Sequence, residues 1–149
     1  LGYNYRLTDF QCALGISQLK KLDQFITKRR ELASNYDEAF RNNALLQIPN
    51  YSTNISSGYH LYPLLIDFKK LNKSRVDFFS HMKKRGILLQ VHYIPITRQP
   101  FYKKKYAIDP SIFYNAEDFY SREVSIPIYP SLTFAEQECI INYILEYLC

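Results

Sequence analysis

The chain of 149 residues contains no tryptophan, one methionine, four glycines and three cysteines. The cysteines Cys12, Cys139 and Cys149 are far apart and show no Cys-x-x-Cys spacing, which argues against a disulfide framework and a metal site. No apolar run approaches the roughly 20 residues that a membrane-spanning helix needs, and no signal-peptide pattern opens the chain. We therefore expect a cytoplasmic protein with no membrane partner and no bound metal.

The residues that are abundant indicate a folded domain. Hydrophobic residues make up 47% of the chain, aromatic residues 16% and charged residues only 22%, a composition that excludes intrinsic disorder. Residues 1–106 hold 18 of the 19 Lys and Arg residues but seven of the 14 acids, a formal charge of +11, whereas residues 107–149 carry −6. A basic half can bind nucleic acid or phosphorylated small molecules, or it can pair with the acidic half of the same fold. Charge alone leaves these readings open.

Two capping boxes predict the first and last helices. Thr8 with Gln11 opens a helical pattern that continues to residue 41, with a break expected near Leu22–Asp23. Thr133 with Glu136 opens a final helix that runs to about residue 148.

The middle of the chain predicts a small sheet. We expect a strand over Tyr59–Asp67, at an edge or bulge because Pro63 has no amide donor, and a second strand over Ile87–Ile94. A helix from Ser74 to Arg85 lies between them, and this order favours parallel strands if the two are direct neighbours, with an antiparallel arrangement left open. Short strands are predicted at residues 46–48 and 124–128, a short helix at residues 115–123, and irregular structure at residues 95–114. The prediction is one α+β domain.

Two longer segments point to a family. The first is GYNYRLTD at residues 2–9, followed by CALG at 12–15; the second is QVHYIPI at 90–96, followed by QPFY at 99–102. Together with SIPIYPSLT at 125–133, they resemble in the right order the DegT/DnrJ/StrS family of sugar aminotransferases. The second segment is most similar to family members that act on a UDP-linked 4-keto-6-deoxy amino sugar in pseudaminic acid synthesis.

The resemblance implies the C-terminal small domain of a fold type I transferase that depends on pyridoxal 5'-phosphate (PLP). Residues 1–41 would form a motif segment and a long connecting helix, and residues 42–149 a small α+β domain with helices packed on a small sheet. The chain starts at Leu1 without methionine, and none of its lysines lies in the family's cofactor-lysine motif. We therefore expect the large domain upstream, no catalytic residue here, and no activity from this chain alone.

The resemblance also implies roles for four residues. In the family, the asparagine of the first segment reaches the cofactor phosphate of the partner subunit, which assigns PLP binding to Asn4 through its amide donors. Arg6 is expected to bind substrate, because its guanidinium suits phosphate or sugar oxygens; an interface salt bridge is the alternative. His92 and Tyr93 match residues that line the nucleotide-sugar pocket, with strand packing as the alternative.

The expected function is amination of a nucleotide-linked keto sugar by a homodimer, with glutamate as amino donor. Thr97 stands where the family commonly has a second histidine, which leaves open a non-catalytic dimerisation or scaffold remnant of the same fold. The basic half motivates a third hypothesis, a nucleic-acid-binding module, whereas the resemblance predicts no nucleic acid partner.

Overall fold

The computed structural model describes residues 2–3, 5–52 and 54–149. The α-helices are α1 (Asp9–Leu19), α2 (Leu22–Phe40), α3 (Phe68–Leu71), α4 (Arg75–Lys84), α5 (Pro100–Tyr106), α6 (Tyr114–Arg122) and α7 (Phe134–Leu148). The strands are β1 (Leu46–Gln47), β2 (Tyr62–Ile66) and β3 (Glu123–Ile126).

The helix predictions based on capping residues are confirmed. Thr8 caps α1 and Thr133 caps α7, each in a capping box that is complete in both directions. The predicted break falls between α1 and α2, at residues 20–21. The Ser74 side chain caps α4, and Gly86 follows that helix with a left-handed φ of 77°, the conformation that glycine adopts most readily.

The sheet is antiparallel throughout and has the order β1-β2-β3. Strand β2 lies in the middle and carries Pro63 opposite Ser125 of β3. Strand β1 pairs only with Leu65 and Ile66 of β2. At Pro63 the middle strand therefore has a neighbour on one side only, which explains how the sheet accommodates a residue without an amide donor.

The predicted strand over Ile87–Ile94 is wrong, and so is the parallel crossover that it favoured. The segment forms a single antiparallel bridge, between Gln90 and Ser125. In that register His92 would lie opposite Glu123, but the His92 amide donates to the Glu123 carboxylate at 2.9 Å. A side chain thus takes the donor that would have continued the ladder, and the strand ends.

Residues 95–114 are more regular than predicted. They contain a 3-10 turn at Ile96–Arg98, helix α5 and a second 3-10 turn at Pro110–Phe113. Pro100 and Pro110 each occupy the first turn of their element, where a missing amide hydrogen costs nothing. These prolines begin helical turns, although their number alone suggested irregular structure.

The core lies between the sheet and helices α2, α4 and α7. Its largest fully buried side chains include Tyr36, Tyr62, Phe40 and Phe78. The Tyr62 hydroxyl donates to Asp37 Oδ1 at 2.6 Å, and the Tyr36 hydroxyl donates to the Pro127 carbonyl at 2.8 Å. Burial raises the pKa of both phenols above its ordinary value of 10.0, so both remain protonated donors.

Helix α2 is also tied to α7 by a buried amide. Gln137 is 1% exposed; its Nε2 donates to the Leu32 carbonyl at 2.6 Å, and its Oε1 accepts from Asn35 Nδ2 at 3.1 Å. Donor and acceptor are therefore both satisfied without water.

Helix α1 is built differently, because all of its 11 residues are exposed. Phe10 is 90% exposed, and Tyr3 and Tyr5, which precede the helix, are each 84% exposed. A helix with this much open apolar surface is typical of an interaction surface.

Candidate functional site

The candidate site is a hydrogen-bonded chain of His92, Ser125 and Glu123. His92 Nδ1 lies 2.8 Å from Ser125 Oγ, and Ser125 Oγ donates to Glu123 Oε1 at 2.6 Å. The second carboxylate oxygen, Oε2, accepts the His92 amide hydrogen at 2.9 Å. One buried carboxylate therefore holds both the backbone and, through the serine, the imidazole of His92.

The position of Glu123 and Ser125 follows from strand β3. Residues two apart in a strand share a face, so these two side chains lie on the same side of β3. Glu123 is fully buried and Ser125 is 6% exposed. Pairing with β2 fixes both residues, because Ser125 lies opposite Pro63 and Glu123 opposite Leu65.

His92 and Ser125 also line an open cavity of about 820 Å³. Its other polar side chains include His60, Gln90 and Glu136. The Glu136 carboxylate accepts hydrogen bonds from the backbone amide and the hydroxyl of Thr133, and these bonds lower its pKa below the ordinary 4.5. The cavity is large enough for a small-molecule ligand and presents both donors and acceptors.

Of the four residues predicted for the site, His92 lines the cavity, and Tyr93 is its neighbour in the chain. Tyr93 is 72% exposed, and its ring stands edge-on to the His92 ring with a centroid distance of 4.7 Å. Arg6 is exposed in the segment that precedes α1. Asn4 lies outside the described residues. Glu123 and Ser125 therefore hold His92, and Tyr93 contacts this group through the His92 ring.

Thr97, the departure from the family pattern, is followed by an arginine that is already engaged. Arg98 forms an ion pair with Glu117, to which its Nε donates at 2.8 Å, and its guanidinium lies 5.3 Å from the centre of the Tyr120 ring. The Thr97 hydroxyl is buried with no hydrogen-bond partner among the described residues. Arg98 therefore already has a carboxylate partner, and its side chain is half exposed.

Sequence reasoning missed Glu123 and Ser125. Both stand at alternate positions of a four-residue strand whose other members, Val124 and Ile126, are apolar. A buried strand with a carboxylate and a hydroxyl two residues apart needs a polar partner for that face. This pattern could have revealed the pair, but nothing in the sequence indicates that the partner is His92.

Comparison with known proteins places this geometry in a family. Residues 1–145 match the DegT/DnrJ/EryC1/StrS aminotransferase family. The chain belongs to this family. The fold prediction is confirmed, because the structural neighbours are aminotransferases whose corresponding part is the same α+β domain.

Similar relatives cover nearly all of this chain. The UDP-4-amino-4,6-dideoxy-N-acetyl-beta-L-altrosamine transaminase of Campylobacter jejuni is 38% identical over 99% of this chain and 39% of the relative. The spore coat polysaccharide biosynthesis protein SpsC of Bacillus subtilis is 33% identical over 97% of this chain and 38% of the relative. The solved structure of Helicobacter pylori PseC, described as an aminotransferase of pseudaminic acid biosynthesis, superposes with a TM-score of 0.90 at 35% identity over 99% of this chain and 39% of that chain. The chain thus spans about two fifths of the length of these relatives.

The cavity that His92 and Ser125 line does not form a complete PLP site by itself. PLP enzymes hold the cofactor through an imine bond between its aldehyde carbon and a lysine amine, and the residues that line the cavity include no lysine. Nor do the described parts of the chain contain a cluster of metal-ligating side chains or a helix long and apolar enough to cross a membrane. A PLP site that includes this cavity would therefore need its lysine from elsewhere in the protein.

Proposed function

We propose that this chain forms the C-terminal portion of a PLP-dependent aminotransferase that aminates a nucleotide-linked 4-keto-6-deoxy sugar. Residues 1–41 would supply the motif segment and connecting helix, and residues 42–149 the small domain. The amino donor would be glutamate, and the working unit a homodimer. The single observation that carries the proposal is the match in sequence and fold to PseC over 99% of the chain. The position of His92 beside an open cavity is consistent with it.

The chain's own residues would position the substrate and contribute to cofactor binding. PLP, when bound, supplies an electron sink for moving an amino group. Asn4 would donate its amide hydrogens to the cofactor phosphate of the partner subunit without burying a charge. Arg6, His92 and Tyr93 would bind the nucleotide sugar, since guanidinium, imidazole and phenol groups all hydrogen-bond to phosphate, hydroxyl or amide groups.

The exposed surface of α1 supports an assembled protein. Phe10, Leu14 and Leu19 are 90%, 62% and 68% exposed, so the helix has apolar area to bury against another surface. The partner subunit and the remainder of the protein would cover it. In the sequence, Asn4 and Arg6 stand a few positions before this helix, and we expect both to reach the same interface.

Activity of the full-length gene product tests the proposal. Incubated with PLP, glutamate and a UDP-linked 4-keto-6-deoxy amino sugar, it should replace the keto oxygen by an amino group, which mass spectrometry detects. Absence of both PLP binding and amino transfer would instead support the non-catalytic remnant.

Two tyrosines offer a matched pair of variants for the substrate role. Tyr93 and Tyr114 are each 72% exposed, so loss of either hydroxyl should leave the fold intact. Tyr93→Phe should raise the KM for the nucleotide sugar by about fivefold to tenfold, the usual value of one hydrogen bond. Tyr114→Phe should leave the KM unchanged. Equal KM values for the two variants would remove Tyr93 from the substrate site.

A further inference from the structure

In the hydrogen-bonded chain of His92, Ser125 and Glu123, the donor of each bond follows from which groups carry a hydrogen. An ionised carboxylate can only accept hydrogen bonds, whereas a serine hydroxyl has one hydrogen to donate. Ser125 Oγ gives that hydrogen to Glu123 Oε1, at 2.6 Å. Its contact with His92 Nδ1, at 2.8 Å, must then be one in which the imidazole donates.

A neutral imidazole carries one ring proton, so a proton on Nδ1 leaves Nε2 with a bare lone pair. Among the described residues, Nε2 has no hydrogen-bond partner. The second hydrogen bond of Glu123, from the His92 amide, fixes the backbone from which the ring projects. The carboxylate therefore sets both the place and the tautomer of the imidazole.

We infer that Glu123 and Ser125 are positioning residues that lock His92 with its proton on Nδ1, so that Nε2 accepts a hydrogen bond from an N–H group of the nucleotide sugar. The inference rests on the proposed function for the identity of the ligand, but the tautomer lock stands independently of it. A bare Nε2 cannot donate to a phosphate oxygen, which only accepts. A substrate hydroxyl both donates and accepts and could bind either tautomer, whereas an N–H donor can bind only this one. Neutral His92 in this tautomer thus selects an N–H donor and does not bind the diphosphate.

The variant Glu123→Gln keeps the shape of the side chain but should exchange donor and acceptor in each hydrogen bond that involves Ser125. The carboxamide oxygen has to face the His92 amide hydrogen, which places the NH2 group against Ser125. Ser125 Oγ then accepts from that NH2 group and donates to His92 Nδ1. The imidazole proton should therefore move to Nε2. Ser125→Ala removes the bond to Nδ1 and should leave a mixture of tautomers, whereas Ser125→Thr keeps a hydroxyl and should retain the wild-type tautomer.

Nitrogen-15 NMR of the full-length protein, with labelled histidine, tests the lock without any need for activity. Protonated and unprotonated ring nitrogens differ widely in chemical shift, and the signal lost in His92→Gln identifies the residue. At about pH 9, where an ordinary imidazole is neutral, wild-type His92 should carry its proton on Nδ1 and Glu123→Gln should carry it on Nε2. The surface variant Glu138→Gln, at an exposed position, should match the wild type. A wild-type proton on Nε2, or an unchanged spectrum in Glu123→Gln, would overturn the lock.

Kinetics with the UDP-linked amino sugar tests the ligand. Glu123→Gln should raise the KM by about tenfold with kcat nearly unchanged, because a binding contact present throughout the reaction is lost. A KM that falls or stays level while the tautomer changes would overturn the N–H assignment and leave the lock standing. A keto sugar that lacks the acetamido group locates the donor. If Glu123→Gln no longer raises the KM for this sugar, the donor is the acetamido N–H. If the KM still rises, the donor is the N–H of the base.

Discussion

Helices α1 and α7 begin in the same way and end up in opposite environments. Each opens with a threonine cap that is reciprocated three residues later, by Gln11 in α1 and by Glu136 in α7. Helix α7 then buries Ile140, Ile144 and three further residues, whereas every residue of α1 is exposed. The comparison shows that the start of a helix and its contribution to stability are separate properties. A capping box sets where a helix begins, and burial sets what the helix contributes to stability.

The largest expected difference comes from equivalent apolar deletions in the two helices. Ile144 is fully buried and Leu14 is 62% exposed. In this chain on its own, Ile144→Ala should lower the free energy of unfolding by about 2–5 kcal/mol because it leaves a cavity, while Leu14→Ala should change it by less than about 0.5 kcal/mol. Urea unfolding followed by circular dichroism measures both. A large loss in Leu14→Ala would show that α1 is covered in solution.

Removing the caps should give a smaller difference of the same sign. Thr133→Ala should cost about 1 kcal/mol of global stability, since α7 unfolds with the core. Thr8→Ala should leave the global value unchanged and reduce only the protection of the α1 amides against hydrogen exchange. Equal losses in the two variants would mean that α1 and the core unfold as one unit.

The smallest expected effect on stability comes from the charge that distinguishes the two capping boxes, because Glu136 in α7 can ionise and Gln11 in α1 cannot. The Thr133 hydrogen bonds lower the pKa of Glu136 below 4.5 in the folded state. Its contribution is therefore fully present above pH 4.5 and is lost as the pH falls through the lowered value. Glu136→Gln turns this cap into the neutral form found in α1, so the difference in melting temperature between wild type and variant should shrink between pH 7 and pH 3. A constant difference would show that ionisation of Glu136 plays no part.

The helices were predictable from sequence because their signals are local. The Thr8, Ser74 and Thr133 caps and the Gly86 stop involve residues within a few positions of each other. The strand predicted over residues 87–94 failed because pairing depends on a distant partner. β-Branched composition fits a sheet surface, but the Glu123 side chain takes the donor that the ladder needed, and composition carries no information about that competition.

The candidate site shows the same division. His92 and Tyr93 were predicted from the resemblance of a continuous segment, and their rings stand edge-on to each other. The residues that hold His92 lie 31 and 33 positions later in the chain. Their role depends on the register between residue 90 and strand β3, which only the fold supplies.

The buried amide of Gln137 bears on how this domain could be recombined with its relatives. Its two hydrogen bonds reach Leu32 and Asn35, one turn apart on α2. Apolar contacts tolerate a small shift of one helix along another, because neighbouring methyl groups are interchangeable. An amide whose donor and acceptor are both hydrogen-bonded allows only one alignment of the two helices. Helices α2 and α7 should therefore be transferred together: a chimaera that takes α7 from a homologue should also take α2 from it.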